Sequence, residues 1–441
     1  MKPFPATWLF GIWQRLRTGF WFLPAIMVAV SIGLLFAAIR LDMAVGSRPE
    51  AGWVFSFGPE SARAVLSAIA TSMITVAGLT FSITMLTLQL ASSQFGPRLL
   101  RSFMRDRGNQ VVLGTFISTF IYCLLGLRTV IDNGEVQFVP HLTVWLAIVF
   151  ALASIAVLIY FIHHVASSIR IESVLAELAA ETQATIDRLY PEKLGHGPPP
   201  SAGTDPAQVI PPDFDSNACP ICSDAGGYIH QVDVKALIPL AAKHDLIVRI
   251  DARPGCFVKQ GDPLIAAYPK KLIDGKMADM LRETLIVGQD RTPEQDLEFS
   301  LRRIVEIAQR ALSPGINDPT TALYCVDRLG EALFKLASRD VPSPLRFDSK
   351  GKLRVITEID TFATLACPAL AATARYAAKD ADVITSVLAT IDMLIRVASP
   401  EGRRALMELA SDIHGQKNDR ATTRREWIIR SASEPGRAAG D

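Results

Sequence analysis

Small and hydroxyl-bearing side chains recur at regular spacing in residues 64–97, a stretch of 34 residues without a charged side chain. Steps of four and three residues place them on two faces of one helix, about half a turn apart. The first stripe consists of Thr71, Thr75, Gly78, Ser82, Met85, Gln89 and Ser92. The second stripe consists of Ala77, Thr80, Thr84, Thr87, Ala91 and Gln94.

In a membrane, two such stripes allow two interpretations. Both stripes pack against neighbouring helices, with each hydroxyl bonded to the carbonyl one turn back, or one stripe packs while the other lines a water-filled path. A helix that faced only lipid would need neither stripe. The helix is therefore predicted to lie inside the membrane region, and the sequence leaves both interpretations open.

A polar turn between two apolar helical segments is the second place where chemistry is conceivable. Its polar members are Ser313, Asn317, Asp318 and Thr320. Asp318 precedes Pro319, and aspartate followed by proline is typical of a helix N-cap and first helical position. The sequence favours capping by Asp318, with binding of an ion or small ligand as the alternative.

Cysteine and histidine provide only isolated pairs. The motif Cys219-Pro-Ile-Cys222 has no second CxxC at metal-site spacing, and His230 is its one nearby helper. The sequence therefore favours no metal or redox function, with these three residues as weak candidates for one. The pair His163–His164 could sense protons or bind a metal. Its position at the end of an apolar segment instead favours an interfacial anchor.

Catalytic and nucleotide-binding motifs are absent from the sequence. It contains no GxxxxGK[ST], GxGxxG, GxSxG or HExxH, so we predict neither an enzyme nor a bound cofactor. The formal net charge of +1 gives no support for a nucleic-acid partner. No internal repeat is evident, which argues against inverted-repeat transporters.

Four apolar segments predict an α-helical integral membrane domain over residues 20–165. The spans are predicted at 20–39, 64–97, 111–127 and 142–162. A helix over 64–97 would reach about 50 Å, so one end must project beyond the ~30 Å hydrocarbon core, and the polar residues 89–94 favour that end. A basic interfacial segment, 1–19, precedes the first span. The distribution of Lys and Arg favours cytoplasmic N- and C-termini.

The remaining chain predicts a cytoplasmic α+β region. Residues 166–190 keep a heptad-like spacing and either extend span four as one long helix or follow a break near His163–His164 as a separate amphipathic helix. A Pro-rich linker (191–218), a small β-rich module (219–292), a helical domain (293–414) and a disordered tail (415–441) follow. Gly255, Val258, Gly261 and Leu264 resemble the GxxVxxGxxL run of barrel-sandwich hybrids; without a Met-Lys-Met tip, this module is predicted to be structural.

Two longer runs are similar to the hallmarks of one bacterial family of predicted membrane proteins, catalogued as a domain of unknown function, number twenty-two fifty-four. They are residues 80–98, TFSITMLTLQLASSQFGPR, and residues 311–322, ALSPGINDPTTA. The resemblance extends over about residues 10–415. It implies a bacterial inner-membrane protein with four spans and a cytoplasmic region, and it implies no activity.

These observations support two hypotheses of different classes. The first is a homo-oligomeric channel or channel-like protein of the inner membrane, with the second span lining the path and a cytoplasmic regulatory domain beneath it. The alternative is a membrane-anchored sensor or scaffold whose cytoplasmic domain binds a partner or small ligand without conduction. A membrane enzyme ranks third, because the sequence offers no catalytic set. The expected partners are the lipid bilayer, further copies of the chain, and an ion or small molecule.

Overall fold

The computed structural model describes residues 21–45, 58–95, 106–132, 137–168, 170–190 and 209–415. The predicted basic segment, most of the Pro-rich linker and nearly all of the tail lie outside these ranges. The chain divides into two compact units, Met1–Ser173 and Val174–Asp441.

The first unit is built from four helices, each long and apolar enough to cross a membrane. A two-stranded antiparallel hairpin, β1 with β2, lies between the third and fourth helices. The prediction of four membrane-spanning helices is confirmed. The elements are α1 (Phe22–Val45), α2 (Pro59–Phe95), α3 (Arg107–Leu127), β1 (Ile131–Asp132), β2 (Gln137–Phe138) and α4 (His141–Ser168).

Helix α2 begins five residues before the predicted span. Pro59 opens it and Glu60 lies in its first turn, where a carboxylate is favourable near the positive end of the helix dipole. Arg63 lies in the same end of the helix, and its guanidinium donates to the Val130 carbonyl at 3.0 Å. At 37 residues, α2 is about 55 Å long, against about 32 Å for the 21 residues of α3.

Polar contacts join the helices of the first unit. The Asp42 carboxylate of α1 accepts from the backbone N–H groups of Leu142 and Thr143, at 2.9 and 3.3 Å, and so caps the start of α4. Halfway along the bundle, Thr119 and Ser154 share a buried hydrogen bond of 3.3 Å between α3 and α4. Such bonds satisfy hydroxyls that would otherwise face hydrocarbon.

The structure corrects the continuous helix over 142–190. Helix α4 ends at Ser168, and α5 (Ile171–Leu189) begins as a separate amphipathic helix, although the break lies after His163–His164. The heptad-like face of α5 is buried in the second unit and does not form a free stalk. Helix α5 also carries Glu181, paired with Arg303, and Asp187, whose carboxylate lies 2.7 Å from both Lys335 and Arg339.

The second unit combines two sheets with helices. The five-stranded sheet has the order β3-β7-β5-β10-β9, and the three-stranded sheet has the order β6-β4-β8. The first elements are α6 (Phe214–Asn217), β3 (Cys219–Cys222), β4 (Gly227–Val232), α7 (Val234–Lys243), β5 (Ile247–Ile250), β6 (Phe257–Val258), β7 (Pro263–Tyr268), α8 (Gly275–Arg282) and β8 (Leu285–Gly288). The later ones are α9 (Leu297–Ala311), α10 (Pro319–Ala337), β9 (Leu345–Phe347), β10 (Leu353–Ile356), α11 (Phe362–Tyr376), α12 (Ala381–Val397) and a helix over 400–415.

In the first part of this unit, a helix cap and two glycines explain the local structure. Asp233 caps α7 by accepting from the Ala236 N–H at 3.0 Å. Gly255 and Gly261 take φ values of 86° and 92°, a region that glycine adopts without a steric penalty. Val258 and Leu264 between and after them are buried. The two sheets do not by themselves establish a barrel-sandwich hybrid, which stays a prediction.

The sequence predicts only helices over residues 293–414. This prediction is wrong, because two strands, β9 and β10, lie in that segment. Strand β10 pairs in parallel with β5 of the β-rich module, and β9 pairs with β10 in an antiparallel manner. The buried side chain Val355 joins the core of that module. The two segments that the sequence separated therefore share one sheet.

A buried arginine holds this hairpin to the start of β5. The side chain of Arg354 is 6% exposed, and its guanidinium lies 2.8 Å from the carboxylate of Asp348 and 2.9 Å from that of Asp245. It also donates to the Leu246 carbonyl at 3.2 Å. Hydrogen bonding from Arg354 lowers the pKa of Asp348 to about 2. The charge of a buried guanidinium is costly unless it is paired in this way.

We expect Asp348→Asn to reduce the free energy of unfolding by about 2 kcal/mol, because it removes one ionic partner of Arg354. The pKa of Asp348 lies below its ordinary value of 3.8, so its contribution is present above about pH 4 and is lost as the pH falls towards 2. Denaturant unfolding of the full chain in detergent measures both effects. The exposed Asp340→Asn is the matched control; equal stability of Asp348→Asn and wild type near neutral pH would contradict the role given to this ion pair.

Candidate functional site on the second membrane helix

Helix α2 has two faces of different environment. One face is buried against the rest of the first unit, in two hydrophobic clusters. The first cluster also contains Tyr122 of α3 and Val144 of α4, and the second also contains Phe116 of α3 and Phe161 of α4. The other face is exposed along most of the described helix. The buried face contains Ala62, Leu66, Ala70, Met73, Ala77 and Thr80.

The second stripe lies on the buried side. Ala77 is 4% and Thr80 is 2% exposed, whereas Thr84 and Thr87 are half-buried. The hydroxyls of Thr84 and Thr87 donate to the carbonyls one turn back, Thr80 and Ile83, at 2.8 and 2.9 Å. Small residues let the helices approach closely here. This stripe is therefore a packing surface within the chain.

The first stripe lies on the exposed side. Thr71, Thr75, Gly78, Ser82 and Gln89 are all exposed, as is the Met85 side chain among them, and Ser92 is half-buried. The Thr75 hydroxyl donates to the Thr71 carbonyl at 2.8 Å, and that of Ser82 to the Gly78 carbonyl at 2.9 Å. With their hydrogens directed to the backbone, these hydroxyls present oxygen lone pairs outward.

Gly78 is not required by packing within the chain. A Cβ built on it would meet no atom within 4 Å. Gly114 of α3 is the opposite case, because a Cβ there would lie 2.5 Å from the Met27 sulfur. The small residue at position 78 therefore leaves open space on the surface of the subunit.

The structure adds two sets of small residues that the sequence reading missed. Ser61, Ala64 and Ala68 are exposed and extend the first stripe backwards at steps of three and four. On α1, four exposed small residues follow at steps of four: Ala25, Ala29, Gly33 and Ala37. Counting small residues at these steps outside 71–94 would have found both. Spacing of four is typical of close helix–helix contacts in membranes.

The polar turn is arranged around a helix cap. Asp318 accepts from the Thr321 N–H at 3.1 Å and from the Thr321 hydroxyl at 2.6 Å, at the start of α10. Asn317 has a φ of 49°, and its N–H donates to the Ser313 carbonyl at 2.9 Å. Thr320 is exposed and points away from this network. The local bonds explain the turn without a ligand, and ligand binding stays a prediction.

The cysteine pair and His230 are not brought together. Cys219 and Cys222 stand at the two ends of β3, about 10 Å apart along the strand, which is too far for a disulfide. His230 lies on β4, in the other sheet, with its Nε2 atom 2.5 Å from the Asp290 carbonyl oxygen. Among the described residues, no group of three or more His, Cys, Asp or Glu side chains is placed to hold a metal.

Comparison with known proteins gives a family. The model described as predicted membrane protein DUF2254 matches residues 17–393 of this chain. The chain belongs to this family. It is 33% identical over 403 residues to the uncharacterised protein Rv1290c of Mycobacterium tuberculosis, an alignment that covers 90% of this chain and 76% of the relative. The same figures hold for the uncharacterised protein Mb1321c of Mycobacterium bovis. No solved structure matches significantly.

Membership of the family agrees with the resemblance seen in the two sequence runs. Its description supports a membrane protein, as do the four apolar helices, and it assigns no activity.

We predict that Gly78→Leu reduces the size of any oligomer more than Leu79→Ala does. A Cβ at 78 meets no atom of the subunit within 4 Å, so added bulk there acts on what lies outside the subunit, which in the predicted oligomer is a neighbouring copy. Light scattering in mild detergent measures the mass, and thermal unfolding checks the subunit. Gly114→Leu is the contrasting variant, expected to destabilise the subunit itself. Unchanged mass for Gly78→Leu would mean that this stripe faces lipid or a wide cavity.

We predict that Asp318→Ala acts on folding, with a loss of about 0.5–2 kcal/mol typical of a removed N-cap. Asp318→Ser should recover most of this loss, because serine caps nearly as well. Unfolding of the full chain measures stability, and binding or transport assays measure function in the same variants. A serine variant that is as stable as wild type yet inactive would argue for a ligand at the turn.

Proposed function

We propose that this protein is a homo-oligomeric, channel-like protein of the bacterial inner membrane in which the first stripe of α2 lines a path. The observation that carries the proposal is the exposure of Thr71, Thr75, Gly78 and Ser82 on a helix whose opposite face is already packed. Around an axis shared by several copies, the packed face of α2 points outward to its own subunit and the stripe points inward.

Physical chemistry favours this placement over contact with lipid. Lipid tails offer hydroxyl oxygens and the Gln89 amide no hydrogen-bond partner, whereas water or a second helix does. Residues 64–95 carry no charge, so the stripe is polar without being ionic. The exposed small residues of α1 (Ala25, Ala29, Gly33 and Ala37) provide a further surface for contact between copies.

The chemistry of the stripe favours cations or small neutral solutes as the permeant class. The hydroxyls of Thr75 and Ser82 donate to their own backbone, so their oxygens act as acceptors towards the path. Oxygen acceptors replace part of the water shell of a monovalent cation. Between residues 64 and 95, α2 supplies no Lys or Arg side chain to neutralise an anion.

The orientation that accompanies this proposal has both termini in the cytoplasm, with the second unit as a cytoplasmic regulatory domain and its β-rich part as a structural, barrel-sandwich-like module. The distribution of basic residues between the loops supports it. A cysteine in place of Ser47 should then react with an impermeant thiol reagent from outside intact cells. Reaction from the cytoplasmic side only would refute this orientation.

The purified protein in liposomes should conduct a monovalent cation, and a cationic, impermeant thiol reagent should stop the flux through Thr75→Cys and Ser82→Cys. The reason is that both positions project into the path. Ion flux across the vesicle membrane is the measurement. Wild type, with its six cysteines, gives the baseline for the reagent.

Leu152→Cys is the matched control, because Leu152 lies within the span of α4 and is 62% exposed. Its flux should not respond to the reagent. Equal inhibition at Leu152 and Ser82 would contradict the lining role of the stripe. Wild-type vesicles that conduct neither cations nor small neutral solutes, despite an intact oligomer, would favour the membrane-anchored sensor or scaffold.

A further inference from the structure

A histidine of α4 and an aspartate directly before α3 contact each other at one end of the bundle. His164, near the end of α4, places its Nε2 atom 2.6 Å from Oδ2 of Asp106, directly before α3. The two side chains are 23% and 22% exposed. The neighbouring His163 is exposed, so the sequence pair His163–His164 is divided between two environments.

The imidazole is held in place by its surroundings. The Asp106 carboxylate also caps α3, because Oδ1 accepts from the Gly108 N–H at 2.8 Å. A Cβ on Gly108 would lie 2.6 Å from Nε2 of His164, so glycine allows the ring to approach the first turn of α3. The Tyr160 ring stacks on the imidazole, with centroids 5.3 Å apart and planes 14° from parallel.

On the described parts of α3 and α4, four titratable side chains lie at or near this contact in the sequence. Helix α3 contributes Asp106 and the exposed Arg107, and α4 contributes Tyr160 and the exposed His163. Helix α2 has no charged residue over 64–95, and α1 has none over 22–39. Asp106 is therefore the one carboxylate, among the described residues of these helices, in direct contact with the imidazole.

We propose that His164 and Asp106 form a pH-sensitive contact that fastens the end of α4 to the start of α3. Histidine changes charge between about pH 5 and pH 8. A neutral imidazole makes a single hydrogen bond to the carboxylate, and a protonated one adds a full ion pair at the same distance. The contact is therefore strongest at the lower pH and weakens as the pH rises.

The contact lies entirely within the first unit. The inference is independent of conduction, and it holds for a channel or a scaffold.

Thermal unfolding of the full chain in nanodiscs tests the proposal between about pH 8 and about pH 6. We expect the wild-type midpoint to rise by several degrees as the pH falls. His164→Gln keeps an N–H donor without a titrating charge and should lose the rise. His163→Gln is the matched control and should keep it.

Asp106→Asn provides the second arm, because asparagine caps a helix as well as aspartate but carries no charge. It should lose the pH-dependent rise while α3 stays folded, and combining it with His164→Gln should remove no more. A purely structural role would lower the midpoint equally at both pH values. The proposal is overturned if the wild-type midpoint does not move with pH, if His163→Gln removes the rise, or if Asp106→Asn retains it.

Discussion

Within the hydrocarbon core, a polar side chain needs a partner, and on α2 that partner is the helix itself. Threonine and serine hydroxyls at 75, 82, 84 and 87 donate to carbonyls one turn back. This bonding allows hydroxyls on both faces of a charge-free helix, because each of these four donors has an acceptor within the helix. One face can then pack tightly inside the subunit while the other remains available on its surface.

The ends of the helices require a different solution, because backbone groups there have no partner within the helix. In this bundle, carboxylates accept hydrogen bonds from these backbone groups. Asp42 of α1 caps the start of α4, and Asp106 caps the start of α3 and also contacts His164. At the same end as Asp42, Arg63 satisfies the Val130 carbonyl. The charged residues of the first unit therefore lie at the helix ends, and the middle of the bundle is held by small residues and neutral hydrogen bonds.

The second unit depends on buried ionic contacts, in contrast to the first. Arg354 binds two aspartates and a carbonyl, and so fixes a hairpin from the helical segment onto the sheet of the β-rich module. Arg303 pairs with Glu181 and places α5 against α9. Such pairs suit a segment that folds in water, where the unpaired partners stay solvated, whereas in hydrocarbon they would not.

The sequence by itself determined the elements whose cause is local. Length and hydropathy identified four membrane helices, side-chain periodicity placed the two stripes on separate faces of α2, and the cap at Asp318 marked the start of α10. The sequence did not determine which stripe is buried, because both have the same kinds of residues. That choice depends on the side chains of α3 and α4 that meet α2.

Three other features were decided only by tertiary structure. The break after Ser168 follows from the burial of α5 in the second unit. β9 and β10 join a sheet because β5 offers its edge and Arg354 finds two distant carboxylates. Neighbouring histidines at 163 and 164 have different environments because successive side chains on a helix point about 100° apart, and only one of them faces Asp106. Each of these depends on partners far away in the sequence, which local spacing does not encode.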